Sequence, residues 1–347
     1  MSETTITRPE PTLAEQAPLL LGHAAGYAAH RTIAIGLRAG LIRALAGAPD
    51  GLTTDGLADR LELDAFYVSV WCRSAVAAGV CERDDDRWRL GPHVATLLLD
   101  TGSPAYMGGV FPLMEEPEVF GRFERSLATG ERMWWDQTSP EWLTRVTGTG
   151  TPFYTRLVPG GLTTVPGLAE RLEAGGTIVD SACGTGTGLV RLARTWPDSR
   201  VIGVDGDAAS LEMAKERLAE AGLSDRVSLV RSPLEDFSLD EPAALVVNNI
   251  SMHECRDIDV VAAKVMAALE PGGWFVISDF PFPDTDAGLR TTPGRVMCGI
   301  QFFEAQIDDQ LLPRAAYDEL LTRHGFTGLG STTLTPMHAL TWGRREA

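Results

Sequence analysis

Two different rhythms of apolar residues divide this chain. From residue 176 onward, short apolar runs alternate with amphipathic stretches. Residues 177–182, 200–205, 227–232, 243–249 and 274–280 have the length and the Val and Ile content of buried strands. Residues 189–195, 208–221 and 259–268 repeat their apolar positions at helical spacing. Strand–helix alternation of this kind predicts an α/β fold, a doubly wound and mostly parallel sheet with helices on both faces. Residues 331–334 and 338–342 predict a closing antiparallel pair.

The first half has another pattern. Residues 19–45 read as helical, rich in Ala, Leu and Ile with Gly22, Gly26, Gly36 and Gly40 interspersed. So apolar a helix is expected to be buried, in its own core or against a second subunit. Thr53 or Thr54 is placed to cap a helix at 55–61, and a second helix is expected at 64–78. Residues 79–83, the turn Asp84-Asp85-Asp86 and residues 87–90 then read as a hairpin. Helix, helix and hairpin is the order of a winged helix-turn-helix. Residues 101–161 are aromatic and irregular. The expected organisation is a disordered tail at 1–14, a mainly α winged-helix domain at 15–100, a helical aromatic connecting segment at 101–165 and the α/β domain at 166–347.

Chemistry concentrates where the predicted strands end. The first strand of the sheet runs from Asp180 into Gly184-Thr185-Gly186-Thr187-Gly188, where glycine lets the backbone turn tightly and approach a ligand. Asp205 ends the next strand, the place from which a carboxylate reaches ribose hydroxyls. A dinucleotide turn needs a third glycine where this chain has Leu189, and no phosphate-binding GxxxxGK[ST] occurs. A carboxylate at Asp180 repels a pyrophosphate but attracts an ammonium or sulfonium group. Together these residues favour S-adenosyl-L-methionine as the cofactor. Asp236 and Phe237, after the third strand, are expected to bind and cover the adenine. Asn249, at the end of the fourth, is expected to bond the cofactor's amino-acid portion, and Met252 to face the transferred methyl. The aromatics of 101–161 read either as core or as the wall of a pocket for a flat substrate.

Net charge narrows the partners. At −17 the chain is unsuited to nucleic acid or an anionic membrane surface. The predicted recognition helix carries a single basic residue, Arg73, which argues against a DNA-binding regulator. Five cysteines without CxxC spacing argue against a disulfide framework or zinc knuckle and fit a reducing cytoplasm. No apolar run is long enough to span a bilayer, and no secretory signal is expected at the start.

The stretches Asp180 to Gly188, Val204-Asp205, Glu235-Asp236-Phe237, Asn249 to Glu254 and Gly272 to Asp279 resemble the small-molecule O-methyltransferases of plants and actinomycetes. The resemblance covers roughly residue 19 to the end. It implies an N-terminal winged-helix domain that forms a homodimer and a Rossmann-like domain that binds S-adenosylmethionine. It implies a small, aromatic acceptor, a place in secondary metabolism such as antibiotic biosynthesis, His253 as general base and Asp279 as the carboxylate that orients it. Tyr154 is assigned to the cofactor site, and Trp135, Phe303 and Tyr106 to the acceptor pocket. The family's His-Asp-Trp is here His253-Glu254-Cys255. A further family Glu has no direct counterpart; Glu304, Gln306, Asp308 and Asp309 are the nearest polar residues. No metal is assigned, although a metal-assisted variant would use His253, Asp279 and Glu304. Methylation at carbon, or a reaction other than methyl transfer, remains the alternative.

Overall fold

The computed structural model describes residues 10–347, in two compact units divided at Asp100/Thr101. Of the tail expected at 1–14, residues 1–9 lie outside the described residues. The remainder is shorter than expected. Thr12 accepts from the Glu15 amide and the Glu15 carboxylate accepts from the Thr12 amide, a reciprocal cap that starts helix α1 at Leu13.

The first unit is built from α1 (Leu13–Arg38), α2 (Leu41–Ala46), β1 (Leu52–Thr53), α3 (Thr54–Leu61), α4 (Ala65–Ala77), β2 (Cys81–Asp84) and β3 (Arg87–Leu90). The helical stretch expected at 19–45 is broken by Gly40, whose φ of 74° ends one helix and opens the next. Its own unit buries only part of it. Leu20, Leu21 and Tyr27 are exposed, and burial begins only at Thr32, Ala34 and Gly36. There the Trp71 indole donates to the Thr32 carbonyl at 2.9 Å, against a Gly36 that leaves no room for a Cβ. Thr53 and Asp64 cap α3 and α4 through the Gly56 and Tyr67 amides. β3 pairs antiparallel with both β1 and β2.

The second unit contains the α/β sheet. Its principal elements are α5 (Pro140–Arg156), β4 (Gly176–Ser181), α6 (Thr187–Thr195), β5 (Ser199–Asp205), α7 (Ala208–Glu220), β6 (Val227–Arg231), β7 (Ala243–Asn249), α8 (Ile258–Ala268), β8 (Leu269–Asp279), α9 (Thr292–Glu304), α10 (Arg314–Arg323), β9 (Thr327–Thr335) and β10 (His338–Arg344). The strand order is β6-β5-β4-β7-β8-β10-β9, with β10 antiparallel to both neighbours and the other pairings parallel. The expected α/β architecture is therefore present, a Rossmann-like doubly wound sheet preceded by a mainly helical unit.

Period-two alternation explains the two faces. Ile178, Val201, Leu245, Val247 and Val276 pack with Leu189 and Leu192 of α6 on one side. Val179, Ile202, Val246, Phe275 and Ile277 pack with Val261 and Val265 of α8 and Leu320 of α10 on the other. The chain leaves β4 toward β5 on one side and returns to β7 on the other. That change of direction opens a crevice above the carboxyl ends of β4 and β7. We expect Phe275→Ala to destabilise the second unit by about 3–5 kcal/mol, read from its urea transition.

Candidate active site

The crevice opens into a cavity of about 940 Å³ within the second unit. At its β4–β5 side, Gly184 adopts φ 50° with open space where a Cβ would stand. Its amide donates to Asp205 Oδ2 at 2.8 Å, and the Asp207 amide donates to Oδ1 at 2.9 Å. Both residues line the cavity. Burial raises the Asp205 pKa, and the amide donors offset part of that rise. Each carboxylate oxygen keeps a lone pair for a further donor.

Other expected cofactor residues sit differently. Asp180 is fully buried and does not line the cavity; Tyr154 does, and its hydroxyl donates to the two Asp180 oxygens at 3.1 and 3.0 Å. Burial pushes the Asp180 carboxyl up to about 8 against the lowering effect of that hydroxyl. Gly186 faces α7 rather than the cavity, since a Cβ there would stand 3.0 Å from Ala214 Cβ. After β6 the chain turns at Pro233, whose carbonyl accepts from the Asp236 amide. The turn presents Pro233, Leu234 and Glu235 to the cavity, leaves Asp236 exposed and sends Phe237 into the core. Met252 is likewise a core residue, away from the cavity.

Asn249 lines the cavity at the end of β7 and heads a buried hydrogen-bond series. Arg156 Nε donates to His338 Nδ1 at 3.0 Å, His338 Nε2 is 2.7 Å from Ser278 Oγ, and Ser278 Oγ donates to Asn249 Oδ1 at 2.7 Å. Asn249 Nδ2 is left buried without a partner. Such a donor fits an oxygen-bearing ligand.

At the other end, His253 Nδ1 is 2.9 Å from Asp279 Oδ2, which also accepts from the Tyr317 hydroxyl at 2.7 Å; Asp279 Oδ1 accepts from the Phe280 amide at 2.7 Å. Asp279 stands behind the cavity, whereas His253 lines it. His253 Nε2 has no hydrogen-bond partner and faces Glu304 Oε2 at 3.8 Å, an ionic approach rather than a hydrogen bond. Burial disfavours its imidazolium, but Asp279 and Glu304 more than compensate, so its pKa lies well above 6.5. Donor atoms of His253, Glu254 and Glu304 all lie within 4.8 Å of one another. Glu304 comes from the end of α9, fifty-one residues from His253 in sequence.

Tyr106, Trp135 and Phe303 line the cavity. The Phe303 ring packs 4.3 Å from Trp142 and 5.5 Å from Trp135. Ala182 and Ile250, which sequence reasoning passed over, line the cavity with φ of 67° and 52°. Only the sudden end of each apolar run signalled them.

Residues 178–273 match the family model described as a methyltransferase domain. This part of the chain is similar to methyltransferase domains. The methyltransferase of 27-O-demethylrifamycin SV from Amycolatopsis mediterranei is 32% identical over 130 residues, which are 36% of this chain and 46% of that protein. The chain spans about half or less of the length of the curated relatives it matches. Solved structures resemble the whole chain. Human N-acetylserotonin methyltransferase in complex with SAM gives a TM-score of 0.70 at 14% identity, covering 98% of this chain and 100% of that one. An O-methyltransferase family protein from Burkholderia thailandensis gives 0.66 at 17%, covering 98% and 99%. These likenesses establish the class I methyltransferase fold, with the same helical N-terminal region.

Removing the Tyr154 hydroxyl tests the buried carboxyl. Asp180 ionises in the fold only near pH 8 against 3.8 when free, so its burial lowers stability as pH rises between those values, and above about 8 the buried anion relies on the Tyr154 hydroxyl. Tyr154→Phe should therefore cost more stability at pH 9 than at pH 6, by about 1–3 kcal/mol, in parallel urea titrations.

Proposed function

We propose that this chain is an S-adenosylmethionine-dependent methyltransferase that methylates a small, aromatic, natural-product-type metabolite at oxygen. The observation that carries this reading is His253. One nitrogen is tied to Asp279 and the other is unpartnered in the cavity that Gly184 and Asp205 also line. When bound, S-adenosylmethionine supplies a methyl group on a sulfonium, a ready leaving group.

The chain's own residues then divide the work. Asp205 accepts from the ribose hydroxyls, and the Pro233–Glu235 turn takes the adenine. Asn249 Nδ2 donates to the cofactor's carboxylate. Tyr106, Trp135 and Phe303 hold the acceptor's ring. His253 Nε2 takes the acceptor hydroxyl's proton, while Asp279 keeps the Nδ1 proton and stabilises the imidazolium. Holding the deprotonated oxygen toward the methyl carbon supplies much of the acceleration. The exposed Leu20, Leu21 and Tyr27 of α1 support pairing of two copies through the N-terminal helices. Among the described residues, no helix is long and apolar enough to cross a membrane.

His253→Ala is expected to lower kcat by about 10²–10⁴ with cofactor affinity kept. An unchanged kcat in steady-state assays rejects the base. A base must be neutral to act, so activity should rise with pH through a value above 6.5. Asp279→Asn removes the charge that favours the imidazolium and should move this limb to lower pH in a kcat–pH profile. Asp205→Ala should weaken S-adenosylhomocysteine binding by roughly tenfold or more, measured by calorimetry.

A further inference from the structure

The His253 end of the cavity carries more carboxylate than its histidine can balance. Glu254 follows His253 in sequence and Glu304 closes α9; both line the cavity. Glu304 is only 5% exposed, and its Oε2 has no hydrogen-bond partner. Burial drives the Glu254 carboxyl well up, and repulsion from Glu304 adds to the rise. Burial and then Glu304 push Asp309, just beyond, up to about 7. The nearby cation Arg256 stacks on the Trp134 ring at 3.7 Å. A buried carboxylate oxygen without a donor, as at Glu304, is costly, and a cation between it and the half-buried Glu254 offsets the desolvation and relieves the repulsion.

We propose that the acceptor carries a protonated amino group, seated between Glu254 and Glu304 beside the hydroxyl that His253 deprotonates. The proposal rests on the methyltransferase reading and names its substrate class, an amine-bearing phenol. Three features select an ammonium. Acceptors around a tetrahedral ammonium at ~2.8 Å lie up to ~4.6 Å apart. Carboxylate oxygens of Glu254 and Glu304 lie within 4.8 Å of one another, a span that an ammonium can bridge. Phe303, next to Glu304 and stacked with Trp142, adds aromatic faces, which attract an organic cation. Both unpartnered atoms, His253 Nε2 and Glu304 Oε2, are acceptors when unprotonated, matching neighbouring O–H and N–H donors on one ligand. An ammonium here also repels the proton on His253, so the arriving substrate frees its own base.

The test uses three phenols of similar shape and different charge, each with its substituent ortho to the hydroxyl: 2-hydroxybenzylamine, 2-ethylphenol and 2-hydroxybenzoate. The intact protein is first titrated with S-adenosylhomocysteine; failure at this step rejects the cofactor reading, not the acceptor class alone. Binding of each phenol to the saturated protein is then measured by calorimetry. 2-Hydroxybenzylamine should bind roughly tenfold or more tighter than 2-ethylphenol, and the anion weakest. Glu304→Gln and, separately, Glu254→Gln should collapse that preference while 2-ethylphenol binding holds. Equal binding of 2-hydroxybenzylamine and 2-ethylphenol, no 2-hydroxybenzylamine binding, or an unchanged preference in both variants overturns the proposal. A stoichiometric divalent metal found by elemental analysis, with 2-hydroxybenzylamine binding lost on chelation, overturns it by giving the cluster to the metal.

Discussion

Most of this site depends on one buried carboxylate. Asp279 ends β8 and accepts three hydrogen bonds, from His253, Tyr317 and its neighbour's amide. Burying a carboxylate costs several kcal/mol, and it is tolerated here because the donors replace water. Each donor comes from a different piece of structure. Tyr317 binds α10 to the sheet end, the Phe280 amide fixes where the chain leaves β8, and His253 brings in the loop after β7. The same contact decides which imidazole nitrogen carries the proton. With Nδ1–H directed at Asp279, the neutral ring presents its Nε2 lone pair to the cavity.

Backbone strain works beside this constraint. Ala182 follows β4 and Ile250 follows β7, both at positive φ. For a β-branched residue this is an outlier, and such conformations cost about 1–3 kcal/mol each. Hydrogen bonds hold both turns in place: Ile250 N donates to Ser278 O at 2.7 Å, and Cys183 N to Val204 O at 3.0 Å. The left-handed residues bend the two strands that flank the crevice away from the sheet. The bend after β4 leads into the Gly184 turn, and the bend after β7 leads to His253.

The strands were readable because alternation to two cores forces apolar residues along their whole length, as in Val179 and Ile178. Gly184 with Asp205 and His253 with Asp279 were readable because strand ends bring them to one edge. Beyond a strand end that logic stops. Asp236 and Phe237 were misplaced because the Pro233 turn shifts which residues face the cavity, so an aromatic with a core role passed as a ligand wall. Gly186 needs its small size for α7, not for a ligand, and one sequence cannot separate the two demands. Glu304 lies far from His253 in sequence and was one of four polar candidates there; packing singles it out as the one whose Oε2 faces His253 Nε2. Among the described residues of its own unit, nothing covers Leu20 and Leu21 of α1.

The Asn249 amide shows how far a side chain's function can be fixed from a distance. A guanidinium can only donate, so Arg156 obliges His338 Nδ1 to accept. The neutral His338 then carries its proton on Nε2, consistent with the lowering of its pKa by burial and by Arg156. Ser278 accepts that proton's bond and turns its own hydroxyl hydrogen to Asn249 Oδ1. The amide has one orientation left, with Nδ2 toward the cavity. The amide on its own could present either oxygen or nitrogen; the series makes it a donor, which suits a ligand carboxylate and opposes a ligand ammonium. Glu304 and Glu254 have the opposite preference at the His253 end. The cavity therefore has a donor at the end of β7 and acceptors around His253, and that polarity orients both the cofactor and the acceptor proposed for it.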